Sequence, residues 1–162
     1  MKVVVGGIGQ LYQGDLDAGR LVADRLADKG LGEAITIEDF SYGAVAVVQR
    51  LRELGPDAVV LVAAVERGRE PGSVERRVVE PAPVDPVHAR NAVADAVTGY
   101  VTLDLLLEVG AALEALPGQT VTIEIEPALL GPSERISPAA GRAIDEAVVL
   151  VRAELRRLGV LE

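Results

Sequence analysis

Apolar positions along this chain change their period several times, and each change marks a structural element. Residues 2 to 8, Lys-Val-Val-Val-Gly-Gly-Ile, are apolar at successive positions, the pattern of a central strand buried on both faces. From Asp17 to Lys29 the period lengthens: Ala18, Leu21, Val22 and Leu26 recur at helical spacing, and Gly30 supplies the stop. Residues 34 to 40, Ala-Ile-Thr-Ile-Glu-Asp-Phe, alternate as a strand. Val47, Val48, Leu51 and Leu54 then form one stripe of a helix over about 44 to 54, ended by Gly55-Pro56.

Residues 57 to 65, Asp-Ala-Val-Val-Leu-Val-Ala-Ala-Val, are the most apolar run and predict a second central strand. After a turn at 68 to 72, Ser73 to Glu80 sets Arg and Glu against Val, as an edge strand does. Pro81, Pro83 and Pro86 make the start of 81 to 98 irregular, with a helical turn or two expected over Ala89 to Val97. Leu103 to Leu116 predicts a helix closed by Pro117-Gly118, and Thr120 to Glu126 alternates as a strand. Ser137-Pro138 offers an N-cap and a first-position proline for a helix reaching about Leu158. The order β-α-β-α-β-β-α-β-α predicts an α/β fold: a three-layer sandwich of phosphorylase/hydrolase-like type, with a mostly parallel sheet of about five strands, one antiparallel edge, and helices on both faces. No repeat or linker interrupts it, and 162 residues fit one domain.

Composition narrows the chemistry. Hydrophobic residues make up 49% but aromatic ones only 2%, so Val, Leu, Ile and Ala must mesh between sheet and helices. Acids outnumber bases 25 to 16, and a formal charge of −9 opposes the counterion release on which nucleic-acid binding depends, and equally an anionic membrane. With no Cys, disulfides, thiolate catalysis and zinc-thiolate sites are excluded. His88 is the one histidine, so a histidine-rich metal cage is impossible and a Ser-His-Asp triad would have to run through it. No run reaches the ~20 apolar residues of a membrane span, and the expected location is the cytoplasm. Nothing in the pattern fixes an oligomeric state.

Chemistry is expected where the first strand meets its helix, because ligands of parallel α/β sheets lie at the carboxyl ends of strands. Gly7-Ile8-Gly9, with Glu38 or Asp39 near the end of the second strand, has part of a dinucleotide-binding pattern. The third glycine is replaced by Tyr12, and Asp15 and Asp17 would repel a pyrophosphate at the helix entrance. Helix capping accounts for these acids by itself, at ~0.3–1 kcal/mol each; as functional groups they are the candidates for catalysis. Glu66, Arg67, Arg69 and Glu70 read as a solvated turn, with a partner-contacting loop as the alternative. Tyr42 and Tyr100 flank element ends and either edge the crevice or pack in the core. The serines lack a histidine at any diagnostic spacing.

Several of these stretches together resemble the hydrogenase maturation endopeptidases over nearly the whole chain. That family opens with Gly-x-Gly-Asn-x-x-x-Gly-Asp-Asp/Glu-Gly-x-Gly, which Gly7-Ile8-Gly9-Gln10 through Gly14-Asp15-Leu16-Asp17-Ala18-Gly19 follows. Asp39-Phe40-Ser41-Tyr42-Gly43, Asp57-Ala58-Val59-Val60-Leu61-Val62, Arg67-Gly68-Arg69-Glu70-Pro71-Gly72-Ser73, Glu126-Pro127-Ala128 and Ile136-Ser137-Pro138 match in register. The resemblance implies a protein that meets the large subunit of a nickel-iron hydrogenase, whose nickel such proteins sense before removing its C-terminal extension. It further implies three metal-sensing positions: an acid in the first turn, an aspartate ending the third strand, and a histidine before the next long helix. This chain has Leu16, Ala63 and, at or beside that third position, Gly99.

Leu and Ala cannot coordinate a metal and Gly has no side chain, so the resemblance implies a cleft of Gln10, Asp15, Leu16, Asp17, Ala63, Gly99 and Tyr100 with no stably held cofactor. The partner's nickel would be met only if the family activity is retained. His88 is the remaining candidate metal ligand, and two carboxylates alone suit a hard cation better than nickel. Three functions stay open: a non-catalytic descendant that binds a hydrogenase large subunit or its C-terminal tail, an active processing endopeptidase using Asp15 or Asp17, and a small-molecule-binding α/β domain.

Overall fold

The computed structural model describes residues 1–80, 83–97 and 101–162. Its five strands are β1 (Val3–Ile8), β2 (Ile35–Asp39), β3 (Ala58–Ala64), β4 (Val74–Val78) and β5 (Gln119–Ile125). They form one sheet in the order β2-β1-β3-β5-β4, parallel except for β4, which runs antiparallel to β5. The two runs read as central strands are central: every residue of β1 is buried, as are Ala58 to Ala63 of β3. The edge strand β4 is exposed along most of its length, consistent with its Arg and Glu content.

Among the described residues five α-helices cover the sheet: α1 (Ala18–Ala27), α2 (Ala44–Leu54), α3 (Pro86–Ala96), α4 (Leu103–Ala112) and α5 (Pro138–Arg157). Alternate residues of each strand serve opposite faces. Val3, Val5, Val60, Val62, Ile123 and Ile125 pack against α1 and α5, while Val4, Ile8, Val59, Leu61 and Ala63 pack against α2, α3 and α4. The three-layer α/β arrangement follows from that split.

Two element ends differ from the sequence reading. Helix α3 starts at Pro86, where helical turns were expected only from Ala89, because the Asp85 carboxylate accepts from the Val87 amide and proline stands in the first turn, where its missing N–H is no loss. Helix α4 stops at Ala112 and not at Leu116: Glu114 takes a left-handed conformation, φ 52°, and the Ala115 amide turns back onto the Gly110 carbonyl. Among the described residues no helix is long and apolar enough to cross a membrane.

Candidate functional site

From β1 the chain moves to one side of the sheet to build β2, and from β3 the sheet grows the other way to β5, so the strand order reverses between β1 and β3. A crevice opens beyond the carboxyl ends of strands at such a point. Ile8, the last residue of β1, lies in register with Ala63 of β3. Beyond them is a cavity of about 320 Å³ lined by Ile8, Gln10, Leu16, Ala63 and Glu66, with Thr102, Leu103 and Asp104 from the start of α4 closing it. Gln10, Leu16 and Ala63, widely separated in sequence, are thus brought together.

The turn between β1 and α1 decides which side chains reach this cavity. It contains a short 3-10 helix, Gly14–Asp17, with successive side chains about a third of a turn apart. Leu16 therefore faces the cavity, while Asp15 and Asp17 do not line it. Gly14 opens the turn at φ 61°, and a Cβ there would lie only 2.8 Å from the Leu129 carbonyl oxygen, so the place suits a residue without one.

Asp15 is fully buried and points into the loop before α5. Its carboxylate accepts from the amides of Ala128 (2.8 Å), Leu129 (2.7 Å) and Ser137 (2.7 Å) and from the Ser137 hydroxyl (2.7 Å). Burial alone would raise its pKa, but these four donors hold it below the usual carboxylate range. Ser137 Oγ also receives the Ala140 amide as the N-cap of α5, so one carboxylate fixes both the loop and the helix start. Asp17 pairs with Arg20, whose Nε lies 2.9 Å from its Oδ1, and Arg20 also reaches Asp24.

Other predicted positions lie elsewhere. His88, on α3, lines a separate and larger groove of about 860 Å³ between α3, α4 and the residues that follow β4, with Glu108 at 3.9 Å. Tyr42 is edge-on to Phe40 with ring centroids 6.4 Å apart, and does not line the cavity. Gly99 and Tyr100 lie outside the described residues.

The turn after β3 differs most from its reading as solvated. Arg67 and Arg69 are only 24% and 21% exposed, and both converge on Glu124 of β5, which is 1% exposed. Glu124 accepts from Arg67 Nε (2.8 Å), Arg77 Nη1 (3.1 Å) and Thr122 Oγ1 (2.8 Å). Its pKa, which burial would push up, is held down chiefly by Arg67 and Thr122. Arg67 extends the network to both oxygens of Asp104 at 2.8 and 2.9 Å, while Glu126 accepts the Arg67 and Gly68 amides at 2.8 and 3.2 Å. The signal was present in the strand pattern: Thr120, Thr122 and Glu124 alternate with Ile123 and Ile125 in a strand with neighbours on both sides, and a carboxylate buried there requires a cation.

Chemically, the cavity presents aliphatic surface where the resemblance implies metal ligands. Its ionisable residues are Glu66 and Asp104, and Asp104 is already engaged by Arg67. Among the described residues no group of three or more His, Cys, Asp or Glu is placed to hold a metal ion.

No family model matches the chain, and no curated protein matches it in sequence. Solved structures do. A hydrogenase 2 maturation peptidase from a Thaumarchaeota archaeon is similar with a TM-score of 0.71 and 27% identity, over 99% of both chains. The hydrogenase maturating endopeptidase HybD from E. coli gives 0.73 and 18% identity, covering 98% of this chain and 94% of its own. A [NiFe] hydrogenase maturation protease, HycI from Thermococcus kodakarensis, gives 0.70 and 23%, covering 96% and 92%. The likeness expected from the turn motifs is present in the fold over nearly the entire chain.

Proposed function

Starting from a chain that resembles the hydrogenase maturation peptidases in its motifs and shares their fold, we propose that it binds the large subunit of a nickel-iron hydrogenase, or the C-terminal tail of that subunit, without cutting it. The observation that carries this reading is the cavity at the carboxyl ends of β1 and β3, which both Leu16 and Ala63 line. Neither side chain has a lone pair to offer nickel. The crevice is present, and aliphatic side chains stand at the two positions where the resemblance implies metal-sensing groups.

The environment of the two acids supports the same reading. A catalytic carboxylate needs a free oxygen within reach of substrate. The oxygens of Asp15 are taken by four protein donors, and Asp17 is paired to Arg20. The site for recognition is the cavity with its rim, reached by an extended segment from the partner.

The experiment is a pull-down of purified large-subunit precursor on the immobilised chain, with the precursor intact and with its C-terminal extension deleted. The expected result is a complex with the intact precursor that weakens on deletion. Absence of any complex with either form would overturn the proposal.

A further inference from the structure

The larger groove, between α3, α4 and the residues that follow β4, is built in two tiers. Its floor is apolar: Val84, Ala89, Leu107, Ala111, Leu116 and Pro117 line it and are each half-buried. Its rim is acidic. Glu80 and Asp85 come from the chain between β4 and α3, Glu108 from α4 and Glu114 from just past its end, and all four are exposed. Among the described residues none of the four pairs with a lysine or arginine, and His88, 3.9 Å from Glu108, is the one basic residue lining the groove. Thr120, at the start of β5, also lines it, so the groove lies toward the amino ends of the parallel strands. It shares no lining residue with the crevice at their carboxyl ends.

The floor favours an occupant that removes apolar surface from water. At about 860 Å³ the groove is near the upper end of the size range of ligand pockets, with room for several side chains and not just one. The rim decides the rest. An anionic membrane, a nucleic acid or an acidic peptide would meet four carboxylates on a chain of formal charge −9. A neutral apolar occupant would leave those carboxylates without a counter-charge. Because the acids come from two separate stretches of chain, cations set on both sides of an apolar stripe match them better than a single charge does. Two of the walls, α3 and α4, are themselves helices, and a third helix laid between them packs its apolar ridge into their groove.

We infer that this groove is a docking surface for a basic amphipathic helix of a partner protein. The apolar stripe of that helix lies on Leu107, Ala111 and Leu116, and its lysines or arginines reach Glu80, Asp85, Glu108 and Glu114 with their stems along the floor. The inference stands independently of the proposed function, and a helix bound here leaves the crevice open.

The test adds to the full chain a synthetic peptide of leucine and lysine at helical spacing, with one tryptophan on its apolar face. The chain has no tryptophan, so the emission reports the peptide alone, and it has a single histidine, so the imidazole protons of His88 report the groove by NMR. The expected result is a saturable blue shift of the emission, with the His88 signals moving at the same midpoint. A scrambled peptide of the same composition, whose leucines share no face, and a peptide with glutamate in place of lysine should each bind about tenfold more weakly. Glu108→Gln combined with Glu114→Gln, at exposed positions that leave folding intact, should weaken binding about fivefold. Failure of the leucine-lysine peptide to bind, equal binding of the scrambled peptide, His88 signals that stay fixed while the emission shifts, or unchanged affinity in the double variant would each overturn the inference. Displacement of the peptide by equimolar spermidine, which has cations and no apolar face, would overturn it as well, marking the rim as a site for small polyamines.

Discussion

Asp15 shows how one side chain can look catalytic in sequence and be structural in space. Its place in a glycine-rich turn was legible, but its partners, Ala128, Leu129 and Ser137, are more than a hundred residues away and have no signature at the turn. Asp15→Ala would leave three part-buried amides and a hydroxyl without their acceptor, at roughly 1–3 kcal/mol for each group left unsatisfied before water and relaxation compensate. The expected net loss is about 3 kcal/mol in urea denaturation, together with faster amide exchange at Leu129 and Ser137. A second acid supplies a pH signature. Glu154 of α5 is 3% exposed; burial would raise its pKa, yet hydrogen bonds from Arg157 and Arg76 bring it from 4.5 down to about 2. A carboxyl depressed on folding stabilises the protein above its unfolded pKa and loses that contribution as pH falls through the folded one. The contribution of Glu154 is therefore full above about pH 4.5 and gone below about pH 2, and Glu154→Gln should flatten the stability profile across that window.

At the scale of elements, period and punctuation located every strand, because β-branched runs bounded by Gly and Pro have few other solutions. The boundaries that went astray, the start of α3 and the end of α4, were set by a proline acting as a helix starter and by a left-handed Glu114, neither of which changes the hydrophobic period. The way α1 lies on the sheet depends on Gly19: a Cβ there would collide with the carbonyl oxygens of Ile8 and Val62. Gly19→Ala should destabilise the fold by about 1–3 kcal/mol, measured by urea or thermal denaturation, since backbone carbonyls cannot yield as a side chain can. The other joint is Arg67, which ties the first turn of α4 to β5 through Asp104 and Glu124. Arg67→Met removes the shared cation and should cost about 2–4 kcal/mol, the residual pairing of Glu124 with Arg77 keeping it below complete loss. Hydrogen exchange at Leu105 and Leu106 should rise with it. The turn holding Arg67 looked solvated in sequence because charge runs usually are; the alternation along β5 carried the hint of a buried Glu124, and the structure shows that the arginines neutralise it.

For the whole molecule, the layered architecture was readable from alternation alone, and the crevice follows from the reversal of strand order between β1 and β3. What lines that crevice was readable only through the resemblance, which pointed to Leu16 and Ala63; that the two share one cavity is visible only in the structure. A formal charge of −9 favours basic partners, so the proposed complex with the precursor should weaken as salt is raised, in proportion to the number of partner cations engaged. On the proposal made above, the fold keeps its partner and has lost its cut. Intact mass spectrometry of nickel-loaded large-subunit precursor, after incubation with the chain under conditions that form the complex, tests it most directly. An unchanged precursor mass is the result this account predicts; a precursor shortened by its C-terminal extension, with the shortening abolished by Asp17→Ala, would contradict it.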